Sequence, residues 1–171
     1  MKNLFLLALS VMLFTACETK DKRYTMQSSE IDTVKKAIDN YNNKTYDTSI
    51  YADTSQTFFN SSSEKGMSPE ETINYHKQND TNYSNRSFTG EDPEYEMVVT
   101  DEGKTWVNCW LDWKGTMAEN GKVIEIPIHL TYQFVDGKIV REVGYWDPTE
   151  VVLNLQAIEA EKNATVEEDM E

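Results

Sequence analysis

The side chains of this chain that could do acid–base, nucleophilic or metal chemistry are few and scattered. Its two histidines, His76 and His129, lie far apart, and neither has an acidic residue at ligand spacing beside it. The metal signal is therefore weak, and no metal ligand set is expected. No Ser/His/Asp nucleophile elbow and no phosphate-cradling Gly loop occurs, so no cofactor is expected either. Cys109 sits amid strand-forming residues with no base or helix start to lower its thiol pKa, which points to a buried, inert thiol. His76 falls near the end of a helix, where the dipole favours a protonated ring, so a capping role competes with a pocket role. Asp147 precedes Pro148 directly and Glu150 by three residues, where its carboxylate can cap a terminal helix.

Aromatic side chains carry the stronger signal. Trp106, Trp110 and Trp113 crowd one strand-like run, Tyr132 and Phe134 lie on the next, and Tyr145 and Trp146 close the one after. Large amphipathic rings in this number suit either a pocket for a flat apolar ligand or a self-association surface. Strand alternation puts Trp106, Asn108, Trp110 and Asp112 on one face and Val107, Cys109, Leu111 and Trp113 on the other. The second set reads as core, leaving Trp106 and Trp110 on the wetter face, with the condition that a single bulge inverts every assignment beyond it.

The elements that must position these residues are legible in part. Ile31, Val34, Ala37, Ile38 and Tyr41 recur at helical spacing, and Tyr46, Ile50 and Tyr51 read as a further short helix after an Asn- and Thr-rich turn. Ser68-Pro69-Glu70-Glu71 is a capping-box start for a helix carrying Thr72, Ile73, Tyr75 and His76. The polar stretch after Gln78, up to Phe88 and Gly90, reads mostly as loop. From Tyr95 the period becomes two: strands are expected over 95–100, 104–117, 122–135 and 138–145, joined by turns at Gly103, Gly121 and Gly137. Ile126, Ile128, Leu130, Tyr132 and Phe134 mark the buried face of the third, and His129 falls on its polar face, toward solvent or a partner copy. Val151, Val152, Leu155 and Ile158 give a closing helix, with a frayed acidic tail over 161–171. Helices first and a strand meander after them describe an α+β domain over 29–160.

The N-terminus sets the expected compartment. Lys2 precedes an apolar run from Leu4 to Phe14 broken only by Ser10, the layout of a secretory signal peptide over residues 1–16. This run is too short to cross roughly 30 Å of hydrocarbon, which takes about 20 apolar residues. Phe14-Thr15-Ala16-Cys17 resembles the bacterial lipobox, in which the cysteine is lipidated and becomes the new N-terminus. More than one acyl chain holds stably, so Cys17 would anchor the protein to a bacterial membrane, on its periplasmic side or at the outer membrane, with residues 17–28 as tether. Cleavage removes Lys2 alone among the charged residues and turns the net charge of −14 into −15. Such an acidic chain repels a phosphate backbone, so no nucleic-acid partner is expected. With Cys17 lipidated, Cys109 has no partner for an internal disulfide.

Taken in order, the first helix, Tyr51-Ala52-Asp53 and Phe58-Phe59, the Ser68 helix ending in His76-Lys77, and Asp136-Gly137-Lys138-Ile139-Val140-Arg141-Glu142 leading to Tyr145-Trp146-Asp147 and Gln156 resemble the nuclear-transport-factor-2-like superfamily, in its polyketide-cyclase (SnoaL-like) branch. The resemblance implies a cone: N-terminal helices on a bent antiparallel sheet enclosing a pocket. It also implies pairing of two copies through the open sheet face, and that face would hold Trp106, Trp110 and His129. Tyr41, Trp113, Leu130, Tyr132 and Phe134 would line the pocket. Asp147 matches a family aspartate that some members use as general base, with His76 or Tyr145 then polarising the substrate. Because that fold hosts isomerases, cyclases, dehydratases, ligand binders and interaction modules, function has to be argued from the site. The leading expectation is a lipid-anchored binder of a small, partly apolar ligand, ahead of a cofactor-independent isomerase, cyclase or dehydratase and of a homodimeric interaction module.

Overall fold

The computed structural model describes residues 23–168; the signal segment, Cys17 and the start of the tether lie outside them. Helix α1 spans Ser29–Asn43, and Ser28 caps it by accepting from the Ile31 amide at 3.2 Å. Its buried stripe is Ile31, Val34, Ala37 and Ile38, as helical spacing requires. Left-handed backbone at Lys44 and Tyr46, each with φ 54°, then stops helical growth. No short helix follows. Residues Tyr51–Phe59 form strand β2, as their Thr and aromatic content allows.

Helix α2, Pro69–Asp80, begins with a complete capping box: the Glu71 amide donates to Ser68 Oγ at 3.2 Å, and the Ser68 amide donates to Glu71 Oε2 at 2.7 Å. Where the sequence reads as loop, strand β3 runs from Tyr83 to Val99. Its first half hides its period because the inward position that should be apolar is filled by Arg86, which is 2% exposed. Bulges between Tyr83 and Asn85 and between Thr89 and Glu94 interrupt the alternation further.

Strands β4 (Thr105–Met117), β5 (Val123–Val135) and β6 (Lys138–Tyr145) follow as an antiparallel meander. Asp136 and Gly137 join the last pair with φ of 50° and 73°, the two positive values that a type I′ hairpin demands. Strand β1, Tyr24–Thr25, adds an edge beside β3, so part of the expected tether belongs to the sheet. The sheet order is β1-β3-β4-β5-β6-β2, with β2 parallel to β6. The sheet is thus mixed where an antiparallel one was expected, because β2 precedes α2 and returns to the far edge of the meander. Helix α3, Thr149–Glu168, continues through the segment expected to fray, and Lys162 ties it to Glu119 at 2.8 Å.

The core lies between α1 and the inward faces of β4 and β5. Val107, Cys109, Leu111 and Trp113 point in from β4, and Ile126, Ile128, Leu130, Tyr132 and Phe134 from β5. Burying each large apolar side chain is worth about 1.5–3 kcal/mol. One polar knot interrupts this core. Arg86 Nε donates to Asp80 Oδ1 at 2.6 Å, Nη1 bonds the Tyr41 carbonyl, and the guanidinium stacks 3.6 Å from the centre of the Tyr41 ring. Tyr46 bonds the same Asp80, so α1, α2 and β3 meet on one ion pair.

Candidate functional site: an aromatic cone around a buried carboxylate

Helices and sheet enclose a cavity of about 330 Å³, within the range of about 300–1,000 Å³ usual for small-molecule sites. Ile126, Ile128, Leu130 and Tyr132 make its sheet wall, Ile38 and Tyr41 come from α1, and Tyr75 and His76 from α2. Val151, Val152 and Leu155 of α3 close it from above. Two glycines let the rings pack. At Gly115 a Cβ would collide with the Trp113 indole, and at Gly144 it would lie 2.8 Å from Leu130, 2.9 Å from Trp146 and 3.0 Å from Phe59. Phe59 accordingly meets Trp146 with ring centres 5.3 Å apart.

Within this apolar wall stands Glu142, 5% exposed, which the sequence reading missed. Its placement follows from one register change. Phe134 pairs with Ile139 but Gln133 pairs with Arg141, so Val140 is an extra residue on β6. Without the bulge, Ile139 would be followed inward by Arg141, Val143 and Tyr145. With it, Glu142 and Gly144 face the cavity beside Tyr132 and Leu130, while Arg141 and Tyr145 are exposed. Nothing local to Val140 marks it as the extra residue, because the register that exposes it is set by pairing with β5.

Tyr51 donates its hydroxyl to Glu142 Oε2 at 3.1 Å, and Thr57 Oγ1 lies 3.4 Å from the same oxygen. Tyr132, the cross-strand neighbour, offers a further hydroxyl. Burial dominates these bonds and raises the carboxyl from its ordinary 4.5 to about 7. Burial likewise pushes the Tyr51 and Tyr132 hydroxyls well up, so both remain protonated donors. The Cys109 thiol rises to about 12 through burial and then the nearby Glu142, which leaves it without a thiolate role at neutral pH.

His76 lines the cavity and packs edge-on to Tyr41 with ring centres 5.2 Å apart. Burial first, and Arg86 second, lower its pKa to about 4, with Asp80 opposing. The ring is therefore neutral, contrary to the protonated helix-end histidine the sequence invites. Tyr41 is held by Arg86 beneath its ring and by the Trp113 indole, which donates to its hydroxyl at 2.8 Å.

The remaining expected site residues separate. Tyr41, Trp113, Leu130 and Tyr132 line the cavity with His76, whereas Phe134 is buried deeper, between Thr105 and Ile139 in the sheet, and does not reach it. Asp147 is exposed and accepts the Thr149 amide at 2.9 Å; the Thr149 hydroxyl and amide hold its pKa down. It caps α3 and is no base for the cavity. Tyr145 is 54% exposed on the outer face, so it is no partner for one. There it adjoins His129, which pairs with Trp110, itself 44% exposed, at a ring separation of 4.9 Å. Trp106 lies on the same face of β4, half-buried. Among the described residues, no group of His, Cys, Asp and Glu is placed to hold a metal ion.

Scans against protein-family models and against curated protein sequences find no match. Solved structures do match. One is a protein of Xanthomonas campestris pv. campestris assigned provisionally as a polyketide cyclase, 17% identical, covering 75% of this chain and 98% of its own, with a TM-score of 0.59. Another, from Jannaschia sp. CCS1 and assigned provisionally as a SnoaL-like polyketide cyclase, is 14% identical over 74% of this chain and 91% of its own, TM-score 0.55. A third, from Catenulispora acidiphila, has a ketosteroid-isomerase-like fold and was solved with trimethylamine; it is 9% identical over 67% of this chain and 84% of its own, TM-score 0.53. Together they establish the nuclear-transport-factor-2 and ketosteroid-isomerase-like fold for this chain, an α+β cone.

Glu142 makes a pH-dependent prediction. The unfolded chain ionises it near 4.5 and the folded chain near 7, so its burial opposes folding progressively as pH rises between these values, by roughly 3 kcal/mol at the upper end. Glu142→Gln removes that term and leaves the contribution of His76 common to both proteins. The stability difference from urea unfolding should be smallest near pH 4 and grow in the variant's favour to about 3 kcal/mol by pH 8. A difference that stays flat across this range would mean that Glu142 titrates normally.

Proposed function

We propose that this protein is a lipoprotein of the bacterial cell envelope, anchored through Cys17, whose cone holds a small, partly apolar ligand. The observation that carries the ligand reading is the cavity of about 330 Å³, walled by apolar and aromatic side chains around one buried carboxylate. A core built for stability alone would fill that space and would not bury an ionisable group among rings. Organic extracts of the protein purified from bacterial envelopes are expected to contain a small molecule, up to one per chain. Extracts of an Ile128→Trp variant, which fills the cavity, should lack it, with circular dichroism confirming that the variant is folded. The same extract profile from both proteins would sink the ligand reading.

The anchor rests on the sequence pattern at Cys17 alone. Detergent-phase partitioning that survives Cys17→Ala would remove it.

Acid–base chemistry is a second reading, favoured by a carboxyl that titrates near neutrality inside the cavity. Glu142 would then take a proton from an acidic C–H of the bound substrate and return it elsewhere, as an isomerase, cyclase or dehydratase requires. Pairing of two copies through the outer sheet face is supported by the row of Trp110, His129 and Tyr145, which exposes a large ring on either side of His129. Equilibrium sedimentation should report a dimer that Trp110→Glu dissociates; a monomeric parent protein would end that reading.

A further inference from the structure

Resting on the reading of the cone as a ligand site, we infer that its ligand is a small organic cation, an amine or quaternary ammonium group with an apolar body, seated against the aromatic walls with its charge toward Glu142. Three observations lead to that class. First, among the described residues no Lys or Arg lines the cavity, and its carboxylic acids are Glu142 and, at the rim, Asp47, which already pairs with Lys36 at 3.4 Å. Arg86 stands behind the Tyr41 ring, outside the cavity lining, and its charge is already paired with Asp80 at 2.6 Å. A carboxylate or phosphate ligand would meet a buried negative charge with no cation to offset it, whereas an ammonium supplies the missing partner.

Second, the walls are rings: Tyr41, Phe59, Tyr75, Tyr83, Trp113 and Trp146 all border the space. Aromatic faces attract a cation through the ring quadrupole, most strongly when the cation is desolvated, and they receive quaternary ammonium groups that form no hydrogen bonds. Third, His76 carries no positive charge to compete, since its pKa lies at about 4. The other groups about Glu142 are hydroxyls, from Tyr51, Thr57 and Tyr132, and the protonated Cys109 thiol; α3 contributes Val151, Val152 and Leu155 to the lining, and Pro148 precedes it, none of them charged. No neighbouring charge therefore satisfies the carboxylate, which leaves that role to the ligand.

A matched pair of probes separates charge from shape: choline, and 3,3-dimethylbutan-1-ol, in which carbon replaces the quaternary nitrogen. In calorimetry on the full lipidated chain in nonionic detergent, choline should bind at least about tenfold more tightly than the alcohol at pH 8. Its affinity should fall about tenfold between pH 8 and pH 6 as Glu142 takes up its proton, although choline itself does not titrate. At pH 7, titrations in buffers of different ionisation enthalpy should register about half a proton released per choline bound. Glu142→Gln should abolish the pH dependence and cut the preference severalfold, down to what the rings supply, while remaining folded.

Equal binding of the two probes would overturn the cation inference and leave the ligand-site reading standing, with a protonated Glu142 serving as a hydrogen-bond donor. Binding of neither would also overturn it, and the envelope extracts would then judge the ligand reading separately. A choline preference that survives Glu142→Gln undiminished would assign recognition to the rings alone and overturn the role of the carboxylate.

Discussion

A guanidinium cannot be taken out of water unless its charge is answered nearby, and Arg86 is answered by Asp80. The consequences reach across the domain. Asp80 ends α2, Arg86 lies in β3, and the Tyr41 carbonyl and ring belong to α1, so one ion pair sets the spacing of three elements that wall the cavity. It also stiffens the cavity's contents. The Tyr41 ring is pinned between the guanidinium and the Trp113 indole, and the charge behind it helps keep His76 neutral. The apolar sheet wall supplies most of the burial, but this polar knot decides where the helices stand over it.

The second constraint is covalent geometry. Side chains alternate along a strand, so one inserted residue moves everything beyond it to the opposite face. At Val140 that insertion carries Glu142 into the cone and Tyr145 out of it. The energetic consequence is a carboxylate desolvated among tyrosines, held partly by their hydroxyls and raised toward neutrality. Groups kept at such a cost to stability mark functional sites more often than structural ones. The same shift assembles the outer-face row of Trp110, His129 and Tyr145. Interior and exterior are thus set by one bulge.

Solved structures of similar shape at 9–17% identity define the cone and nothing finer. Within that shape the cavity of this chain is defined by what it lacks as much as by what it holds. Among the described residues it has no basic side chain in the wall, a neutral histidine and one buried carboxylate, Glu142, with Asp47 at the rim. That charge balance discriminates among ligands more sharply than cavity size, because an uncompensated buried charge costs several kcal/mol whereas one methylene costs about one.

By itself the amino-acid sequence determined the local structure wherever a side chain acts on its own backbone or on one face of one element. The Ser68 capping box, the α1 stripe, the Asp136-Gly137 hairpin and the alternation of β4 and β5 all follow from periods and caps within a few residues of one another. Asp147 belongs to this group too, since its carboxylate has an amide to cap two residues away. Tertiary structure alone decided the rest. The first half of β3 was concealed by Arg86, whose burial makes sense only once Asp80 stands beside it. β2 took its identity from a parallel partner distant in the chain. Nothing local to Glu142 says which face of its strand it takes, and only pairing with β5 turns it inward. The physical reason is common to all three: a helix cap is satisfied locally, whereas a buried charge or a strand register is satisfied by residues that folding alone brings near.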